Sequence, residues 1–235
     1  MTRQQHQLEL RVLPQRDDIT CGPTCLEAVY RYHGHEAEIG SLIADVVSLP
    51  GGGTLAVWLA CHALKHGFAA DIYTYNLHLF DPTWFSGSVS IAERLLAQRR
   101  YKRDERLALA TDGYLEFLKL GGVLQFKELN AKLIRSILNK QQPILTGLSA
   151  TYLYDCAREY SDDYDDLRGR PTGHFVVLSG YDRVRRRVSV ADPMLDNPKF
   201  GSQYYEVGMD RLIGAILLGV LTHDANLLVI HPQTG

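Results

Sequence analysis

Several things are missing from this sequence, and each absence removes a class of protein. Cysteine is scarce, four in 235 residues, too few for a disulfide scaffold, so each thiol is read singly as core residue, metal ligand or nucleophile. No run of about 18 apolar residues offers a membrane-spanning helix. The most apolar stretch, Leu212 to Leu221, is broken by Gly214 and Gly219. Neither sign of charge prevails: the formal net charge is −2 and the isoelectric point lies near 6.5. A balance of that kind supplies no basic footprint for nucleic acid and no polybasic membrane anchor. The opening MTRQQHQLELR has no apolar signal-peptide core, which makes a reducing cytoplasm the expected compartment. Internal repeats and low-complexity tracts are absent too. What remains, 46% apolar and 22% charged residues, is the composition of one globular, enzyme-sized domain.

Periodicity divides the chain into elements. Residues 8–13 (LELRVL) alternate and predict a short strand ending at Pro14. Cys25, Leu26, Val29 and Tyr30 form a helical stripe that Gly34 closes. Further helices are expected over 37–47 and 55–66, separated by Pro50 and GGGT, and then a strand over 69–75. The stretch 79–120 contains a basic run, 98–106, and predicts two helices, 90–99 and 102–120, inserted between core elements. A strand at 122–126, a helix over 129–139 and a strand at 143–148 follow. The last third is strand-rich: 174–182 and 186–192 are joined by a short polar link and predict a hairpin, before a helix near 209–218 and a strand at 226–231. Helices first, antiparallel strands later and no sustained βαβ alternation point to an α+β fold.

Cys21-Gly22-Pro23 sits where the first long helix begins. A thiol there feels the positive end of the helix dipole and the free N–H groups, which favour the nucleophilic thiolate. The same N–H groups suit a developing oxyanion. Gly22 lets a substrate backbone approach, and Pro23 fits a first helical turn. Taken alone, Cys21 is equally a small buried residue. A cysteine nucleophile also needs a base and a group that orients the base. Gly173-His174 opens the strand FVVLSGY and Asp192-Pro193 ends its hairpin partner. With the turn centred near residue 184, residue 176 opposes 192. That leaves His174 and Asp192 on a diagonal at the open end, within reach of each other. A carboxylate so placed fixes the imidazole tautomer and stabilises imidazolium.

Gln15, Cys21-Gly22, His174 and Asp192-Pro193 together resemble the C39-like branch of the papain-like cysteine peptidases: a glutamine six residues before the Cys-Gly, a distant histidine opening an HFVVL strand, and an aspartate in Asp-Pro. The likeness covers residues 8–34 and 172–195 and the order of elements, and leaves out 79–120. It implies a papain-like fold with a helical N-terminal half and an antiparallel C-terminal half. It also implies Cys21 as nucleophile, His174 as base and acid, Asp192 as orienting residue, and Gln15 as an oxyanion donor beside the Cys21 N–H. The best-known relatives are fused to membrane transporters and trim leaders after a double glycine. This chain has neither membrane helices nor a P-loop, since GGGTLAV lacks the Lys-Ser/Thr, and that role is not carried over. The expectation is a free-standing thiol hydrolase acting on a peptide or protein substrate without a cofactor. An amide-forming acyltransferase, or a binding module on the same scaffold, stays open.

Other signals carry less. Zinc held by Cys21, Cys25, Cys61 and His62 lacks the tight Cys-x₂-Cys pairing, so no metal is expected and Cys25 is read as core. His33 and His35 flank a helix end that suits cations. The acidic segment 155–170, just before Gly173, is either a solvated loop or a rim over the cleft that selects basic substrates; Asp162 and Asp163 are its candidate contacts, with Gly22 and Gly173 beside the thiol. The basic run has one aromatic, Tyr101, too few for a nucleic-acid platform.

Overall fold

The computed structural model describes residues 4–87, 89–222 and 224–233. Its strands are β1 (Gln5–Gln7), β2 (Phe68–Thr74), β3 (Val123–Gln125), β4 (Ile144–Ser149), β5 (Glu159–Tyr160), β6 (Asp163–Tyr164), β7 (Gly173–Asp182), β8 (Arg187–Ala191), β9 (Tyr204–Gly208) and β10 (Asn226–Pro232). The helices are α1 (Cys21–Tyr32), α2 (Ile39–Asp45), α3 (Ala56–Lys65), α4 (Ile91–Arg99), α5 (Glu105–Lys119), α6 (Ala131–Leu138), α7 (Ala150–Tyr154) and α8 (Met209–Leu218), with short 3₁₀ turns at Pro82–Phe85 and Gly219–Thr222.

One sheet runs β3-β2-β10-β4-β7-β8-β9. β1 takes the edge of β7 beyond the end of β4, because β4 pairs with residues 173–178 and β1 with residues 180–182. All pairs are antiparallel except β2 with β3, so the sheet is mixed. The central strands read as unbroken apolar runs because both faces are covered. Leu228 and Ile230 of β10 and Val177 of β7 face one core, with Leu26, Leu59 and Phe117 of α1, α3 and α5. Their neighbours Leu227, Val229 and Val176 face the other, with Ile134, Leu153 and Leu212 of α6, α7 and α8. The mixed helix-and-sheet architecture is the α+β, papain-like one expected.

Side-chain caps start many of the helices. Asp104 accepts from Leu107 N at 2.7 Å and Asn130 from Leu133 N at 3.0 Å, each satisfying a helix-start N–H that lacks an internal partner. Gly34 follows α1 at φ +76°, a left-handed position that glycine takes without strain. Inside 79–120, Leu95, Leu107, Tyr114 and Phe117 pack into the first core. No helix among the described residues is long and apolar enough to cross a membrane.

The strand expected at 8–13 is corrected: the paired strand is Gln5–Gln7. Burial does alternate through Leu8, Leu10 and Val12. The ladder ends, however, where Leu8 N donates to Ser179 O at 2.7 Å and Leu10 N turns back to Leu8 O at 3.0 Å. Period-2 patterning marks an extended chain with one buried face, and only a neighbouring backbone makes that a strand.

Candidate active site

Cys21 is the first residue of α1 and is 7% exposed. Helix α1 lies against β7, whose second residue is His174. Asp192 directly follows β8, its N–H donating to Gln203 O at 2.8 Å. The hairpin pairs Val177 with Ala191, so residue 176 falls opposite 192, the register expected; a bulge between Leu178 and Gly180 shifts the pairs nearer the turn. His174 Nε2 then lies 2.8 Å from Asp192 Oδ1, and Cys21 is among the groups that raise the imidazole above its ordinary value. With Nε2 turned to the carboxylate, Nδ1 is the nitrogen left for the thiol.

Electrostatics reinforce the pairing. Burial is the largest influence on His174 and pushes it down. The charge and hydrogen bond of Asp192, aided by Cys21, outweigh it and lift the imidazole to about 10. Burial likewise pushes the Asp192 carboxyl up, but the His174 charge and the hydrogen bonds from His174, Tyr154 and Tyr205 hold it below its ordinary value. Histidine and aspartate thus form an ion pair at neutral pH. Cys25, one turn below Cys21, donates its thiol to Phe175 O at 3.3 Å. Burial drives that thiol well above its ordinary value, so it is a core residue rather than a second nucleophile.

Gln15 joins the group through its backbone: its N–H donates to Pro193 O at 2.9 Å. Its Nε2 donates to Asp17 O at 2.9 Å, while its Oε1 is buried with no partner among the described residues. Gly22 is turned to the core. A Cβ there would stand 2.7 Å from Thr54 Cγ2 and 3.3 Å from Phe175 Cδ2, so its missing side chain serves the packing of α1 on the layer beneath. Gly173 and Asp162 line the cavity over the thiol, whereas Asp163 does not. Segment 155–170 forms the β5–β6 hairpin, closed by a bridge between Glu159 and Arg170.

The cavity measures about 360 Å³ and opens over Cys21, His174 and Phe175. Its lining also includes Asp18, Arg106, Glu159, Asp162 and the buried Asp224. Arg106 comes from the basic run at 98–106. Asp224 is a group the sequence did not single out. Burial raises its carboxyl to about 7, against the pull of hydrogen bonds from Ala56 N and Asn226. Among the described residues no group of three or more histidines, cysteines and carboxylates is placed to hold a metal ion.

Two more residues were not foreseen. Tyr154 at the end of α7 and Tyr205 in β9 each place a hydroxyl 2.7 Å from Asp192 Oδ2. Burial first, then the Asp192 charge, pushes both phenols up, so they stay protonated donors. No local pattern marks them, since their part depends on which carboxylate the fold sets before them.

Comparison with known proteins bears on the fold and the family. The fold matches a C39-like peptidase from Bacillus anthracis with a TM-score of 0.54 and 13% identity, covering 99% of this chain and all of that one (100%). It also matches xylellain, a cysteine protease from Xylella fastidiosa, with a TM-score of 0.51 and 12% identity over 99% of this chain and 87% of the other. At such identities the likeness is one of fold. No curated protein sequence matches the chain. The family model described as Peptidase_C39 like family matches residues 7–211, a span that includes Gln15, Cys21, His174 and Asp192 and ends before β10, and on that match the chain belongs to the Peptidase_C39 like family.

Proposed function

We propose that the protein cleaves an amide bond of a peptide or peptide-like substrate through an acyl-enzyme on Cys21. The observation that carries the reading is the buried His174–Asp192 pair, whose histidine lines the same cavity as the helix-start Cys21. An imidazolium beside a thiol favours the thiolate, the attacking form. The Cys21 sulfur attacks the substrate carbonyl carbon, and the π pair moves to oxygen. The oxyanion is received by the N–H at the start of α1 and by the Gln15 amide, which leaves the Asp17 carbonyl to reach it. Collapse of this intermediate breaks the C–N bond as His174 gives its proton to the departing amine. Water then attacks the thioester, His174 takes the proton from it, and the thiolate leaves with the acid released. Asp192 keeps the ring aimed and its charge compensated throughout. Asp162 and Gly173 contact the bound chain.

Alkylation of the native protein by iodoacetamide from pH 5 to 9, read at each cysteine by mass spectrometry, tests this without a known substrate. Cys21 is expected to react far faster than Cys25, Cys61 and Cys156 and to lose that advantage in His174→Ala. Cys21→Ala is expected to abolish turnover of any peptide the protein cleaves while leaving the fold intact. Equal reactivity of all the thiols, or unchanged turnover without Cys21, overturns the reading.

A further inference from the structure

Asp192 is more heavily bound than the orienting of one histidine requires. Its Oδ1 receives His174 Nε2 at 2.8 Å and the Met194 N–H at 2.9 Å, and its Oδ2 receives the hydroxyls of Tyr154 and Tyr205, both at 2.7 Å. A carboxylate offers about four lone-pair sites, and here every one faces a donor. The carboxyl is fully buried, 0% exposed, a setting that by itself favours a neutral acid. With these four donors in place, protonating Asp192 would give up at least one of their hydrogen bonds.

The two hydroxyls are themselves held in place. The ring of Tyr205 stacks on Phe200 at 3.8 Å and 6°, and Tyr154 meets the same Phe200 edge-on at 6.4 Å. Asp155, next to Tyr154, is in the left-handed conformation (φ +59°) and pairs with Lys199 at 3.2 Å and Arg211 at 3.1 Å. These contacts fasten the end of α7 to the 193–201 loop and to α8. Three separate elements, α7, β7 and β9, thus converge on one carboxylate at the end of β8.

We infer that Tyr154 and Tyr205 are positioning residues for the proposed reaction: their hydroxyls keep Asp192 ionised and single-faced, so that the proton shared with His174 stays on the imidazole and Nδ1 stays aimed at Cys21. Without them Oδ2 is buried and unsatisfied, and the carboxyl takes the proton. His174 then becomes a neutral ring, and Cys21 loses the neighbouring positive charge. The competing account is that two core tyrosines merely need an acceptor for their hydroxyls. That account predicts lost stability with no change in the chemistry of the thiol.

The inference rests on the cysteine-hydrolase reading, and its test separates the two. Tyr154→Phe, Tyr205→Phe and the double variant keep the rings and delete only the hydroxyls. Each is alkylated with iodoacetamide from pH 5 to 9, with near-UV circular dichroism to verify packing and ¹⁵N NMR to report the charge of His174. Each hydroxyl is a hydrogen bond to a charge, so the double variant should slow Cys21 alkylation at pH 6 by roughly tenfold to a hundredfold. The NMR signal of neutral imidazole should appear at a pH where the unaltered protein still shows imidazolium, and each single variant should show a smaller change of the same kind. An alkylation profile and a His174 signal that match the unaltered protein in packed single and double variants overturn the inference and leave the hydrolase reading standing. A Cys21 of ordinary reactivity in the unaltered protein overturns the hydrolase reading, and the inference with it. If the double variant does not fold, the single variants decide by the same two signals.

Discussion

His174 and His62 are buried to almost the same degree, 5% and 7% exposed, yet they settle in opposite charge states. His174 stands against the Asp192 carboxylate and is lifted to about 10. His62 offers Nδ1 to the Tyr30 hydroxyl at 2.8 Å and stacks on His66 at 3.9 Å. Burial, followed by the His66 charge, lowers it to about 4, with Asp45 pulling only weakly the other way. Removal from water disfavours charge in both rings. What separates them is the partner: an ionised carboxylate in one region, a neutral phenol in the other. Depth of burial therefore says little about a histidine's role until its neighbour is named.

The largest way to break this comparison is Asp192→Asn, which gives His174 a neutral partner like that of His62. The histidine should become neutral at pH 7, and turnover should fall on the order of a thousandfold to ten-thousandfold, as when the carboxylate of a nucleophile–histidine–aspartate set is neutralised. A His174 that ¹⁵N NMR still shows charged above pH 7 in this variant would refute the account. Next comes stability. A raised histidine contributes fully below its ordinary value near 6.5, and the contribution is lost as pH climbs to about 10. A lowered one contributes above that ordinary value and loses its contribution as pH falls through about 4. Urea midpoints should thus decline on both sides of neutrality, with His174→Ala removing the alkaline decline assigned to this ring. Because that variant leaves a buried carboxylate unpaired, it should also cost about 3–5 kcal/mol near pH 7.

Asp224 sharpens the contrast from the acidic side, being a buried carboxyl raised by burial to about 7, against the hydrogen bonds from Ala56 and Asn226. Its folded value is raised, so its contribution is present at low pH and lost as pH rises through about 7. Asp224→Asn should flatten the stability profile between about pH 4 and 7, at a cost of about 1 kcal/mol for the amide turned toward Ala56 N or Asn226. An unflattened profile would place the charge elsewhere. The smallest effect is expected from Tyr30→Phe, the same deletion as in Tyr154→Phe but far from the thiol. It should lower stability by about 1 kcal/mol and leave Cys21 alkylation unchanged at every pH.

Much of the fold was legible because local rules and tertiary context agree. The helix near 209–218 is observed at Met209–Leu218 and the strand at 226–231 as Asn226–Pro232. The hairpin register follows from counting outward from its turn, and it sets His174 and Asp192 at the same open end. Three kinds of element were not legible. Strand β9 is half-exposed at the sheet edge, so its apolar alternation is faint. Strands β5 and β6 are two residues each, shorter than any periodicity can report. Helix α7 is five residues long, capped by Ser149 at Tyr152 N. Tyr154 and Tyr205 lie in two of these unread elements, which is why the outer support of Asp192 escaped while its inner partner did not.

The place of β10 between β2 and β4 has a consequence for how the molecule is made. Strands β3 and β2 form one flap of the sheet and β4, β7, β8 and β9 another, and only residues 226–232 join them. A ribosome delivers the chain from its amino end, so both flaps exist before the strand that fastens them. Until it arrives, β2 and β4 each present an open edge of unpaired backbone groups. Closing them requires contacts between residues 70 and 230, a sequence separation that slows folding. The nascent protein thus passes through a stage in which the thiol helix and the histidine strand are both synthesised while the sheet beneath them is still in two pieces, exposed to aggregation and to proteases.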